Sequence, residues 1–175
     1  SKSGVPMMRS MVLEFNEDVT CGFLDKQYML GDSLLVAPIF NEEGIAHYYL
    51  PEGTWTNYLT NERMNGGRWL NESHGYLSIP LLVKEGTILA IGAKDDSAVY
   101  EYGNDVLLKV YGLLEGKELC TVVYDESVSG DTPVVSVAAK VFMSGNEITI
   151  DVVTNNKFRV ELVNVRNIES VTNVC

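Results

Sequence analysis

Two carboxylates held a few ångströms apart can cleave a glycosidic bond, one as acid/base and one as nucleophile or base, so the acidic side chains are the first candidates for chemistry. Glu14, Asp18, Asp25, Asp32, the adjacent pair Glu42 and Glu43, and the adjacent pair Asp95 and Asp96 are the ones considered. The adjacent pairs fall in turn-like or linker-like sequence, where a carboxylate is ordinarily solvated. Nothing in their spacing brings any two together, so no catalytic residue is assigned. The histidines, His47 and His74, stand alone. They lack the HExxH or CxxC company of a metal centre and are read as surface or half-buried residues. Asp125-Glu126-Ser127-Val128-Ser129-Gly130 has the oxygen-rich start of a calcium loop. Ser136 stands where the bidentate twelfth ligand belongs, and the flanks are strand-like, so the segment is read as a polar turn. No metal and no cofactor is expected. The chain has no GxGxxG after a strand, no GxxxxGK[ST] and no GxSxG elbow, which removes the usual nucleotide cradles and the hydrolase nucleophile.

Aromatic side chains are the other route to a site, because flat rings stack on sugars. Trp55, Trp69, Tyr48, Tyr49 and Tyr58 lie within one stretch. Large aromatics also dominate core burial. Trp55 and Trp69 each open a strand just after a turn, and both are expected in the core. A carbohydrate-binding platform built on Trp55 and Trp69 is the alternative.

The elements that must carry these residues are mostly strands. Residues 5–15 alternate Met7, Arg9, Met11, Leu13 and Phe15 with Met8, Ser10, Val12 and Glu14, which predicts an extended segment. A short helix follows, capped by Asp18, with Val19, Phe23 and Tyr28 on one face. From Gly31 onward short apolar runs alternate with turns such as Pro51-Glu52-Gly53 and Asn65-Gly66-Gly67. Ser33 to Phe40 is a buried run, and Tyr76 to Val83 and Thr87 to Ile91 read as strands. Further strands are predicted at Val106 to Tyr111, Leu119 to Tyr124, Val134 to Met143, Glu147 to Val153 and Phe158 to Val165, the last three as an antiparallel meander. The expected fold is mainly β, with antiparallel β-sandwich-type modules. The polar segment Gly92 to Ser97 is the expected domain boundary.

The chain has 175 residues and a formal charge of −11, from 13 basic and 24 acidic side chains. Such a charge repels phosphate backbones and anionic membranes, so no nucleic-acid or membrane partner is expected. The longest apolar run, at 33–40, is far short of the roughly 20 residues of a spanning helix. The absence of an initiator Met and of a cleavable leader suggests a piece of a longer protein. Cys21, Cys120 and Cys175 are too few and too scattered for a disulfide framework. Cys21 and Cys120 are expected as small core residues in a reducing, cytoplasmic setting. Asn71-Glu72-Ser73 fits a glycosylation acceptor and is read as a chance match in a loop.

Two segments, DKQYMLGDSLLVAPIF (Asp25 to Phe40) and YLPEGTW (Tyr49 to Trp55), resemble glycoside hydrolase family 31, which includes α-glucosidases and α-xylosidases. Gly4 to Asp18 resembles the segment leaving the family's catalytic (β/α)8 barrel, and His74 to Gly92 is similar to the strand pair ending its first C-terminal sandwich. The form of RWLNESHGYLSIP is most like bacterial α-xylosidases. The resemblance implies a retaining parent enzyme acting on terminal α-linked xylose or glucose, whose catalytic aspartates lie in the barrel. Neither catalytic motif matches any residue here, and Asp25 and Asp32 match non-catalytic positions. It further implies residues 1–30 as a remnant of the barrel exit, a proximal β-sandwich at 31–94, a distal β-domain at 97–169 and a tail at 170–175. The implied partners are the barrel of the same polypeptide and the α-linked oligosaccharide of the parent enzyme. Met7, Met8, Met11 and Leu13, deprived of that barrel, are expected to expose apolar surface and favour a homo-oligomer.

Overall fold

The computed structural model describes residues 4–125, 133–166 and 168–170. The chain divides into two compact units, Ser1–Glu85 and Gly86–Cys175. The segment 92–97 therefore lies within the second unit, between strands β9 (Thr87–Ile91) and β10 (Val106–Tyr111).

In the first unit, β1 (Met8–Ser10), β2 (Tyr28–Leu30), β3 (Leu34–Val36), β8 (Leu81–Lys84), β5 (Thr54–Asn57) and β6 (Arg63–Asn65) form one sheet in that spatial order. All its pairings are antiparallel. β4 (Ile45–Leu50) and β7 (Arg68–Ser73) form a second, two-stranded antiparallel sheet. The alternation of β4 points Ala46, Tyr48 and Leu50 inward, where they join Met29, Leu35, Trp55 and Leu82 of the larger sheet in one buried cluster. Thr56 is buried beside Trp55, although alternation places it outward.

The N-terminal segment departs from the expected extended run. Only Met8–Ser10 is a strand, and Met11–Glu14 turns into a single helical turn, α1. That turn swings Met11 into the core, fully buried, while Met7, Met8 and Leu13 stay exposed. Asp18 does cap the next element, accepting from the Thr20 backbone N–H at 3.0 Å. The element is a 3₁₀ turn at Val19–Phe23. Tyr28 belongs to β2 instead, and Val19 and Phe23 point into solvent. Tyr76 to Pro80, expected in a strand, is irregular chain leading into β8.

Asn65-Gly66-Gly67 is not the tip of a hairpin between β6 and β7. Instead β6 pairs with β5 and β7 with β4, so the turn passes the chain from one sheet to the other. Gly66 donates its N–H to Gly53 O and Gly67 to Leu50 O, each at 2.8 Å. A Cβ on Gly66 would sit 1.8 Å from Pro51 O, and Gly67 has φ of +73°. Both positions therefore demand glycine, one for space and one for backbone conformation.

In the second unit, β10 is flanked by β9, antiparallel, and by β14 (Phe158–Val163), parallel. β11 (Glu118–Asp125), β12 (Val134–Ser144) and β13 (Glu147–Thr154) form an antiparallel meander. The expected meander of the last three strands is thus displaced by one strand. Thr154 Oγ1 donates to Ser136 O and Asn156 Nδ2 to Ser136 Oγ, pinning the end of β13 to β12, after which the chain leaves for β10. Val106, Leu108 and Val110 face Leu119, Val137, Ala139 and Val141 in a second core.

Candidate functional site

The candidate carboxylates scatter. Asp25, Asp32, Glu42, Glu43, Asp95 and Asp96 are all exposed. Asp32 accepts from Ser33 Oγ at 2.6 Å. Glu14 and Asp18 line one shallow groove of about 760 Å³, together with Glu17 and Glu52, acidic residues the sequence did not single out. Both are engaged within it. Glu14 forms an ion pair with Arg9 across the β1–α1 bend, and Asp18 serves the 3₁₀ turn as its cap. An acid/base pair needs one carboxyl kept free to exchange protons, and this arrangement fixes both to local structure.

The two tryptophans part company. Trp55 is fully buried as expected, and its indole N–H donates to Pro51 O at 2.9 Å across the Pro51-Glu52-Gly53 turn. Phe15 packs against it with ring centroids 6.0 Å apart. Trp69, also expected in the core, is 50% exposed. The reason is register. Trp69 lies opposite Tyr49, and both fall on the outward face of the β4–β7 pair. There Trp69 stacks on His47, centroids 4.8 Å apart and rings 9° from parallel, with Tyr49 tilted against it at 5.5 Å. His47 is exposed. Tyr48 is buried and Tyr58 half-buried. The platform imagined from Trp55 and Trp69 together does not exist, because the two rings serve opposite faces.

His74 is better anchored than its turn-like sequence suggests. Its Nδ1 lies 2.9 Å from Ser78 Oγ and its Nε2 3.2 Å from Glu72 Oε2. Burial first, then the nearby Glu72 carboxylate, push the pKa of the Tyr48 hydroxyl well above the ordinary tyrosine value, so it is the weaker acid.

The cysteines also divide. Cys21 is buried, and burial, with Asp18 alongside, raises its thiol to about 11. Cys120 is exposed, against expectation, because β11 turns Leu119 inward and its neighbour outward. Its thiol donates to Glu118 Oε1 at 3.3 Å, and Lys140 meets the same oxygen at 3.1 Å from the partner strand. Cys175, the tail from 171 onward and all of the calcium-like segment but Asp125 lie outside the described residues. Asp125 itself accepts from the Gly103 backbone N–H. No group of three or more metal-ligating side chains occurs among the described residues.

Sequence comparison places these modules. A family model described as the glycosyl hydrolase family 31 C-terminal domain matches residues 4–89. A second, described as the C-terminal domain of alpha-xylosidase YicI, matches residues 101–174. The chain belongs to the C-terminal part of glycoside hydrolase family 31. This family 31 chain is 40% identical over 123 residues to alpha-xylosidase XylQ of Lactiplantibacillus pentosus, covering 69% of the chain and 16% of that protein. It is 42% identical over 101 residues to an alpha-xylosidase of Emericella nidulans, covering 53% and 13%. Its fold matches a cycloalternan-forming enzyme from Listeria monocytogenes, solved with a pentasaccharide substrate, with a TM-score of 0.75 at 25% identity over 92% of the chain and 16% of that enzyme. The family 31 chain therefore spans only 13–16% of the length of these relatives.

Proposed function

We propose that this chain supplies the non-catalytic C-terminal β-domains of a retaining α-glycosidase, of the α-xylosidase type first and the α-glucosidase type second, acting on terminal α-linked xylose or glucose. The observation that carries this reading is the order of the two C-terminal domain matches, which follow one another along nearly the whole chain, the second being that of an alpha-xylosidase. The proposed β-sandwich-type modules are 31–94 and 97–169, although β9 (Thr87–Ile91), inside the first of these ranges, pairs with β10 and packs with the second unit. Their proposed junction falls in the interval between the matches, which end at 89 and resume at 101.

Residues 1–30 are proposed as the exit from the catalytic barrel. The exposed Met7, Met8 and Leu13 support this, since such a row of apolar side chains is the kind of surface that a neighbouring domain covers. The modules' task is then to bury apolar surface of the barrel and hold its exit strand. We propose further that the parent enzyme works in the cytoplasm, consistent with the unpaired thiols of Cys21 and Cys120, and that it forms a homo-oligomer. Cell fractionation and light scattering of the full-length polypeptide test those two points.

The test of function is a comparison of the full-length polypeptide with the same polypeptide ending before Asp25. Aryl α-xyloside and aryl α-glucoside are the substrates. Hydrolysis by the full-length protein, faster on the xyloside, and a truncated protein that is insoluble or inactive are the expected results. A full-length protein that hydrolyses neither substrate refutes the reading.

A further inference from the structure

Tyr76 and Leu77 are the most exposed apolar residues of the first unit, at 109% and 101% of their reference areas. Two adjacent large side chains touching almost nothing would ordinarily belong to a loose loop. This loop is held from several sides. His74 Nδ1 meets Ser78 Oγ at 2.9 Å, closing the four-residue span, and His74 Nε2 meets Glu72 Oε2 at 3.2 Å, fastening it to β7. With the imidazole neutral, Ser78 donates to Nδ1 and Nε2–H donates to Glu72, so both contacts are satisfied at once. The Ser78 N–H donates to Gly75 O at 3.2 Å, and the His74 N–H to Gly44 O at 2.8 Å. Gly44 permits that approach, since a Cβ there would lie 2.4 Å from His74 O. No charged side chain lies between Gly75 and Pro80, in a chain of net charge −11. An uncharged tip whose flanks are held by hydrogen bonds and which presents a tyrosine beside a leucine has the chemistry of an interface anchor, with less order left to impose on binding.

We infer that the Tyr76–Leu77 tip is a docking finger that inserts into an apolar pocket on the catalytic part of the same polypeptide, upstream of this chain. The inference rests on the functional reading above. Size selects this occupant over a second copy. A buried aromatic contributes roughly 150–250 Å², so the two side chains offer on the order of 400 Å², about half of the roughly 800 Å² per partner that a stable complex between separate chains buries. Within one polypeptide the partner surface stands at an effective concentration of about millimolar, and a small contact suffices. His74, Glu72 and Ser78 act as positioning residues for the finger.

The test uses the full-length polypeptide with Cys120→Ser and Leu77→Cys. The added thiol is reacted with a bulky aromatic disulfide, the label is located by mass spectrometry, and glutathione sets the rate of an open thiol. Labelling at residue 77 more than tenfold slower than glutathione, unchanged from nanomolar to micromolar protein, is the expected result. Labelling within tenfold of glutathione shows the tip open to solvent and overturns the inference. Protection that disappears on dilution assigns the tip to a second copy and overturns it equally. Tyr76→Cys, which keeps Leu77, reads the same protection should the first variant loosen the finger. Hydrolysis of aryl α-xyloside by the same sample separates the two claims. An active enzyme with an open tip defeats the finger alone, whereas an inactive protein with a protected tip defeats the functional reading alone.

Discussion

The side-chain amide of Gln27 pairs with the main chain of Tyr49 as a strand residue would. Gln27 Nε2 donates to Tyr49 O at 2.7 Å, and the Tyr49 N–H donates to Gln27 Oε1 at 2.8 Å. β4 is paired with β7 on one side only, and this amide supplies a ladder contact near the C-terminal end of its other edge. Gln27 is itself buried, so both groups of the amide depend on Tyr49 as much as Tyr49 depends on them.

Replacing Gln27 by Leu keeps the volume and leaves the Tyr49 N–H and C=O without partners. An unpaired buried polar group costs about 1–3 kcal/mol, so Gln27→Leu is expected to destabilise the first unit by about 2–4 kcal/mol. Urea unfolding followed by tryptophan fluorescence measures this, since Trp55 reports on that core. A midpoint unchanged from the wild type would show that water replaces the amide without loss.

The two tryptophans should respond in opposite ways. Trp55→Ala removes a fully buried ring and leaves Pro51 O unpaired, with an expected loss of about 3–5 kcal/mol. Trp69→Ala removes a half-exposed ring whose contacts are with His47 and Tyr49 on an outward face. Its expected cost is within about 1 kcal/mol. Comparable losses for the two variants would contradict the assignment of Trp69 to the surface.

Stability should fall on the alkaline side. The Cys21 thiol is raised from about 9 to about 11 in the folded chain, and Tyr48 is raised as well. The unfolded chain releases the Cys21 proton near pH 9 while the folded chain retains it, so the contribution is fully present below that pH and is lost as pH rises through about 11. Cys21→Ala should flatten the decline between pH 9 and 11, by on the order of 1–3 kcal/mol for a shift of this size. The check is a series of urea midpoints from pH 7 to 11 for both proteins. Parallel curves would show that Cys21 contributes nothing to the decline.

Gly66→Ala places a methyl group against Pro51 O. The carbonyl belongs to the turn that holds Trp55, so relief by backbone movement disturbs the core as well. The expected outcome is a loss of several kcal/mol, read by thermal unfolding. Gly22→Ala, where a Cβ meets nothing within 4 Å, is the matched control and should change the midpoint little.

The sequence made much of this fold readable where one physical signal dominated. Apolar runs bounded by turns located β10 and β13, and glycine-rich turns marked where strands end. It misled where two signals competed. The run from Met7 to Phe15 alternates well enough for a strand, yet burying Met11 requires the one-turn helix α1. Trp69 looks like a core residue by type, and only the pairing of β7 with β4 turns it outward. The parallel partnership of β14 with β10 joins residues some fifty positions apart, which no local pattern encodes. The carboxylates were readable as unpaired in sequence, and the structure gathers Glu14 and Asp18 in one groove while tying each to a local partner. The Gln27–Tyr49 and His74–Glu72–Ser78 contacts left no signal in composition, because they join polar residues across loops.

The central claim is that this chain is the non-catalytic C-terminal part of a family 31 α-glycosidase. The most direct measurement sets the chain alone beside the full-length polypeptide, both with aryl α-xyloside at equal concentration. The expected result is turnover by the full-length enzyme and none by the chain. Turnover by the chain that is lost on Glu14→Gln or Asp18→Asn, in a variant that remains folded, would place the chemistry in the groove that these two residues line and contradict the account.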